Sequence, residues 1–83
     1  MDFKVGKMYE WKTTNFSTFT LYAGLQSDIY KRNDIEIKVG SAVFALEVIE
    51  KKEYCDVRFL TDTGIIAWSR IFHRHAESTW DRL

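Results

Sequence analysis

The chain has 83 residues, of which 46% are apolar and 16% aromatic, and its twelve basic and twelve acidic side chains give a formal net charge of zero. This length and composition predict one domain over residues 1–83 with enough apolar area to fold unaided, which argues against disorder and a second domain. The balanced charge removes the general attraction to nucleic acid or anionic lipid that a basic protein has, and leaves only local basic patches.

Cysteine usage and hydropathy indicate the compartment. Cys55 is the only cysteine, so no disulfide can form within the chain. The sequence has neither a signal peptide nor an apolar run long enough to span a membrane. We therefore expect a cytoplasmic protein with no membrane partner.

The first half of the chain predicts three strands. Residues 3–11 alternate in polarity, which predicts a half-buried strand bent at Gly6, with Phe3, Val5, Tyr9 and Trp11 on its apolar side. A turn at residues 13–15 and a strand over residues 16–23 follow. Residues 24–34 predict a long loop with a helical turn after Ser27 or Asp28, and residues 35–39 alternate cleanly as a third strand.

Residues 40–71 predict a three-stranded meander. The first strand is expected to turn Phe44, Leu46 and Val48 inward, and the second to turn Cys55, Val57 and Phe59 inward and Asp56 outward. A tight turn at Asp62-Thr63-Gly64, with glycine where a positive φ is needed, leads into a third strand over residues 65–71. In the tail, Ala76, Trp80 and Leu83 have the i, i+4, i+7 spacing of one stripe of a short helix.

The stretch VGSAVFALEVIEKKEYCDVRFLTDTGIIAWSRI, residues 39–71, resembles the meander of SH3-like small barrels. The resemblance rests on a glycine-led strand, a charged hairpin, a second strand, a short turn and an aromatic strand, over about 33 residues. It implies a mainly β fold, a strongly bent barrel of about five antiparallel strands with a short C-terminal helix. Bacterial and phage proteins use such barrels as adaptors.

Trp68 has two interpretations. It shares a strand face with Ile66, and an inward pair of this size suits the interior of a small barrel. Alternatively, Trp68 belongs to a partly exposed aromatic groove, because tryptophan and tyrosine are favoured in binding hot spots. The other groove residues would come from the set Tyr9, Trp11, Tyr22, Tyr30 and Tyr54.

The sequence predicts neither an enzyme nor a metal or cofactor site. His73 and His75 could chelate from a strand but diverge on a helix, and a second pair of ligands is absent from the sequence. Cys55 beside a histidine could form a nucleophile and base, yet its strand pattern favours a buried core cysteine. Recognisable nucleophile or phosphate-binding motifs are also missing.

The leading hypothesis is a non-enzymatic module that binds another protein, as a small bacterial or phage regulator or inhibitor would, by steric occupation and mixed charges. The candidate partner-binding residues are Tyr22, Tyr30, Lys31, Arg32, Trp68, Arg70, Arg74 and Trp80. An alternative is a barrel for RNA or single-stranded nucleic acid, if Lys31, Arg32, Arg70, Arg74 and Arg82 converge beside Tyr30 and Trp80. A third hypothesis is a homo-oligomer built through the Trp80 stripe or an open strand edge.

Overall fold

The computed structural model describes the backbone of residues 2–12, 18–22 and 34–83, and the side chains of residues 2–12 and 38–83. These residues form seven strands and one helix: β1 (Met8–Trp11), β2 (Thr18–Tyr22), β3 (Asp34–Lys38), β4 (Ala42–Glu50), β5 (Tyr54–Thr61), β6 (Ile66–Phe72), α1 (His73–Thr79) and β7 (Trp80–Arg82). The turn predicted at residues 13–15 and most of the loop predicted at 24–34 lie outside the described residues.

All seven strands belong to one antiparallel sheet with the order β3-β2-β6-β5-β4-β1-β7. The predicted class, mainly β with a short C-terminal helix, is confirmed. The described strands number seven instead of about five, and β3 and β7 are not paired with each other, so the described sheet is not closed. This strand order does not confirm an SH3-like fold, which stays a prediction.

The predicted meander is confirmed as β4, β5 and β6, which pair in sequence along most of their lengths. The turn between β5 and β6 is closed by hydrogen bonds from the Gly64 N–H to the Thr61 carbonyl and from the Thr61 N–H to the Ile65 carbonyl, at 3.0 and 2.8 Å. Gly64 has φ +85°, a conformation that costs glycine little because it has no Cβ.

The core lies on the opposite face of β4 from the one predicted. Val43 and Ala45 are buried, whereas Phe44 and Leu46 are only half-buried. The register between β4 and β5 shifts between Ala45 and Glu47, and such a β-bulge reverses the alternation of side chains. Val48 therefore returns to the core side and packs against it.

Large rings fill the core side and explain why small residues face it from β4. Phe3, Tyr9, Trp11, Phe59 and Trp80 are all buried there, and Ala45 pairs with Phe59 across the sheet.

The predicted strand over residues 3–11 is divided by a turn at residues 5 and 6, where Gly6 has φ +85°. This turn folds Phe3 back onto Tyr9, with ring centroids 4.5 Å apart, and leaves Val5 exposed instead of inward.

The predicted helical stripe in the tail is wrong. The helix α1 ends at Thr79, and of the stripe only Ala76 lies on it and is buried. Trp80 is in β7, where it pairs with Trp11 of β1, and its ring lies 5.3 Å from Phe59 and 5.4 Å from Trp11. Because residues 80–82 form a strand, Trp80 pairs with β1 and at the same time inserts its ring into the aromatic core. A helix continued through residue 80 would lose the pairing with β1.

Candidate partner-binding surface

The face of the sheet opposite the core, termed the outer face, carries a second organised set of side chains. Alternate residues of β5 and β6 point to this face and stand opposite one another in register. The pairs are Tyr54 with Phe72, Asp56 with Arg70, Arg58 with Trp68 and Leu60 with Ile66. Aromatic, charged and apolar pairs are thus stacked along one hairpin.

Asp56 anchors this face. It is fully buried, and Arg70 binds both of its oxygens, from Nε to Oδ1 at 2.8 Å and from Nη2 to Oδ2 at 3.0 Å. Asp56 was predicted to point outward, and it does so; its burial follows from the paired guanidinium, because a buried carboxylate needs a charged or hydrogen-bonding partner. The geometry fixes the Arg70 side chain in one orientation.

The fixed Arg70 begins a continuous stack of cations and rings. Its guanidinium carbon lies 4.1 Å from the ring centroid of Tyr54, the Tyr54 ring packs edge-on against Phe72 at 5.7 Å, and the Arg74 guanidinium carbon lies 5.6 Å from the Phe72 ring. The four residues are termed the cation–aromatic ladder. Both cations lie within the distance at which ring quadrupoles attract them.

A surface pocket of about 310 Å³ opens beside the end of the ladder, lined by Glu53, Phe72, His73 and Arg74. His73 holds one wall in place, since its Nε2 lies 2.8 Å from a carboxylate oxygen of Glu50 and 3.0 Å from the carbonyl of Lys51. Both neighbours are acceptors, so this ring nitrogen carries the proton. The volume is at the lower end of the range for ligand pockets.

The two arginines of the ladder differ in what they can still bind. Arg70 is committed to Asp56. Arg74 is exposed and donates from Nε to His75 at 3.2 Å; within residues 2–12 and 38–83 it forms no salt bridge. A guanidinium stacked on a ring and lacking a carboxylate partner can receive an acidic group in two parallel hydrogen bonds.

Two of the predicted site residues, Arg70 and Arg74, are brought together in the ladder. Trp68 and Trp80, at 6% and 0% exposure, are buried and do not contribute an accessible surface. Trp68 and Ile66 share a strand face as predicted, but it is the outer face. Trp68 is buried outside the core cluster and Ile66 is 47% exposed, so the predicted inward pair is wrong. The backbone of Tyr22 pairs with Trp68, and Tyr30, Lys31 and Arg32 lie outside the described residues.

The convergence of cations expected for nucleic-acid binding is not found among the described residues. Arg82 lies on β7 at one edge of the sheet, separated from Arg70 on β6 by β5, β4 and β1. Trp80, expected as a stacking platform, is inside the core. Cations on the described surface are interleaved with acids, as in the pairs of Lys12 with Asp81 and Arg58 with Glu47.

The histidines and the cysteine do not form a chemical centre. No group of three or more potential metal ligands occurs among the residues that the structure describes. Cys55 is buried on the core side, as predicted, and desolvation raises the pKa of its thiol to about 12, with Glu50 and Asp56 adding to the shift. Such a thiol stays protonated near neutral pH and is a poor nucleophile.

The sequence analysis named Tyr54 as a candidate groove residue but missed Phe72, Glu53 and His73, which lie on the same surface. The signal was available in part, because the turn at Asp62-Thr63-Gly64 fixes the register that places Tyr54 opposite Phe72. The position of His73 against the β4–β5 turn depends on the start of α1, where the His73 N–H donates to the Glu53 carbonyl at 3.0 Å, and strand patterns do not predict this contact.

Comparison of the chain with protein-family models, curated proteins and solved structures found no match. Within the described part of the chain, α1 is seven residues long, and no helix has the length and hydropathy needed to cross a membrane.

Proposed function

We propose that the protein is a non-enzymatic interaction module that binds another protein through the cation–aromatic ladder and its pocket. The observation that carries this proposal is the exposed Arg74 guanidinium, stacked on Phe72 at the pocket rim and without a salt bridge to any described residue. Aromatic and arginine side chains are the residues most enriched at protein interfaces.

The partner group that fits this surface is a carboxylate next to an apolar or aromatic side chain. Arg74 would bind the carboxylate, and the Phe72 ring, which is 36% exposed, would cover the apolar part. Arg70 and Tyr54 hold Phe72 in place from behind, through the Asp56 salt bridge and the ring contact. A surface fixed in advance in this way loses little side-chain entropy on binding.

The mixed charges around the pocket favour a protein over a nucleic acid. Glu53 lines the pocket itself and Glu50 is bound to His73 at its wall, and both would repel a phosphate backbone. Nucleic-acid binding instead calls for a stripe of unpaired cations. By occupying a partner's surface, the module would inhibit or modulate that partner.

The test is a pull-down from lysate of cells that naturally contain the protein, with and without nuclease, comparing wild type, Arg74→Glu and Arg82→Glu. Arg82→Glu is the matched control, because it makes the same charge change on an exposed side chain of β7, and three strands lie between β7 and β6. We expect a nuclease-resistant, stoichiometric protein band that is lost with Arg74→Glu and kept with Arg82→Glu.

A band equally affected by both variants, or unaffected by Arg74→Glu, would contradict the assignment of this surface. A nuclease-sensitive smear that weakens steeply with added salt would replace the protein partner with RNA or DNA. A direct check is an NMR titration with a pentapeptide of four glutamates and one phenylalanine, which should shift the amides of Phe72 and Arg74 more than a lysine counterpart does.

A further inference from the structure

The pocket at the end of the cation–aromatic ladder is formed by two segments that are bonded to each other. The His73 N–H donates to the Glu53 carbonyl at 3.0 Å. The His73 Nε2 lies 2.8 Å from a carboxylate oxygen of Glu50 and 3.0 Å from the carbonyl of Lys51. The turn between β4 and β5 is therefore fixed against the start of α1, which holds Glu53 and Arg74 at the same pocket.

Glu53 and Arg74 carry opposite charges and share this pocket without meeting. Both residues line the pocket and both are exposed. Within residues 2–12 and 38–83, neither side chain forms a salt bridge, whether with the other or with Lys51 and Lys52 of the same turn. The pocket therefore offers one acceptor and one donor of opposite charge, and a single bound group that carries both charges can satisfy them together.

The presence of Glu53 changes which acidic segments the pocket accepts. A carboxylate bound to Arg74 lies in the same pocket as Glu53, and like charges brought together at an interface are unfavourable. A second acidic side chain adds to this repulsion, whereas a basic side chain beside the carboxylate replaces it with attraction. Repulsion of the wrong partner is a common source of specificity, and Glu53 is placed to supply it.

The backbone around the pocket sets the spacing of the two charges. Glu53 and His73 follow the cross-strand pair of Tyr54 and Phe72, and their backbones are hydrogen-bonded to each other. Neighbouring strands lie about 4.8 Å apart and consecutive Cα atoms about 3.8 Å apart, so the backbones of Glu53 and Arg74 are less than about 10 Å apart. In an extended peptide, side chains two residues apart share a face at a spacing of about 7 Å. An acid and a base spaced in this way can reach both pocket residues.

We propose that the pocket binds an extended protein segment in which an acidic and a basic side chain lie two residues apart, next to an aromatic side chain. The acid binds Arg74, the base binds Glu53, and the aromatic ring packs on Phe72. This inference rests on the proposed function, because it concerns the same pocket, and it adds that Glu53 determines specificity. A purely acidic segment is attracted by Arg74 and repelled by Glu53, and it therefore binds less tightly than a segment of mixed charge.

The test is an NMR titration at low salt with three acetylated and amidated peptides, Phe-Gly-Asp-Gly-Lys, Phe-Gly-Asp-Gly-Gln and Phe-Gly-Asp-Gly-Asp, followed at the amides of Phe72 and Arg74. Wild type should bind the lysine peptide about 3-fold more tightly than the glutamine peptide, and the glutamine peptide about 3-fold more tightly than the aspartate peptide. Glu53→Lys should reverse this order. Asp62→Lys is the matched control, because it makes the same charge change on an exposed residue of the turn between β5 and β6, at the other end of the hairpin.

Three outcomes would overturn the role of Glu53. One is a wild-type protein that binds the aspartate peptide as tightly as the lysine peptide, and another is an unchanged order of affinities in Glu53→Lys. The third is an equal effect of Glu53→Lys and Asp62→Lys, which would assign the preference to overall charge. If Arg74→Glu still weakens binding in these cases, the proposed function stands without this inference. If no peptide shifts the two amides, or if Arg74→Glu binds every peptide as wild type does, both the inference and the proposed site are wrong.

Discussion

Replacing Trp80 with alanine tests whether this residue is packed inside the core, as the structure has it, or lies on a helical stripe that another molecule covers, as the partner-binding hypothesis had it. Trp80 is fully buried, stacked on Phe59 at 5.3 Å, and edge-on to Trp11 at 5.4 Å and to Phe3 at 6.0 Å. Removing a buried aromatic side chain costs roughly 3–5 kcal/mol, and here three ring contacts disappear together.

This cost is large against the stability of so small a protein. At 0.05–0.15 kcal/mol per residue, a chain of this size is stable by roughly 4–12 kcal/mol. With a urea m-value of about 1.2 kcal/mol/M, a loss of ~4 kcal/mol moves the midpoint down by about 3 M. We therefore expect Trp80→Ala to be unfolded or only marginally folded at room temperature.

Urea denaturation followed by far-UV circular dichroism is the suitable assay, because the substitution removes a fluorophore. Arg82→Ala, two residues along in the same strand and exposed, is the control and should change the unfolding free energy by less than about 0.5 kcal/mol. Trp80→Phe should keep part of the ring packing and lose less than Trp80→Ala. A loss below about 1 kcal/mol for Trp80→Ala would refute the placement of this residue in the core.

Three further substitutions probe other buried groups. Asp56→Ala should lower the unfolding free energy by about 2–3 kcal/mol in the same urea assay, because it leaves the Arg70 charge without its carboxylate. The double variant Asp56→Leu with Arg70→Met removes both charges and should recover most of that loss. Ser69→Ala should be neutral or stabilising by up to about 1 kcal/mol, because its buried Oγ has no hydrogen-bond partner among the described residues; a loss above about 1 kcal/mol would show that this hydroxyl is bonded. Cys55 should resist thiol reagents in the native state near pH 8 and react in urea. Because its folded pKa is raised from 9.0 to about 12, stability should fall as pH rises through that interval, by at most ~1.4 kcal/mol per pH unit, and the extra slope should be absent in Cys55→Val.

Local patterns were sufficient for the β4–β5–β6 meander. Alternation over residues 54–61 and the turn ending at Gly64 are properties of short segments, and both agree with the structure. The burial of Cys55, Val57 and Phe59 followed from the same alternation. In the candidate surface, Arg70 and Arg74 were identified from the sequence as basic groups near aromatic residues.

Other features depended on contacts between distant segments. Alternation in β4 does not reveal the bulge between Ala45 and Glu47, which decides the side to which Val48 turns. The sequence left open whether Trp68 and Trp80 are buried, because tryptophan is common both in protein cores and in binding sites. The ladder required the outward Asp56 to fix Arg70 over Tyr54, a pairing that the polarity pattern does not show.

The sequence alone was enough to predict the three strands of the meander, the tight turn at Gly64 and the balance of charge, because each of these follows from neighbouring residues or from simple composition. Which face of β4 packs into the core, and the entry of Trp80 into that core from a strand, depend on the packing of distant segments. Only the tertiary structure decided that Phe72 and Arg74 meet Glu53 at a pocket. The reason is that side-chain burial depends on which distant strand supplies the opposing surface, and local periodicity carries no information about that choice.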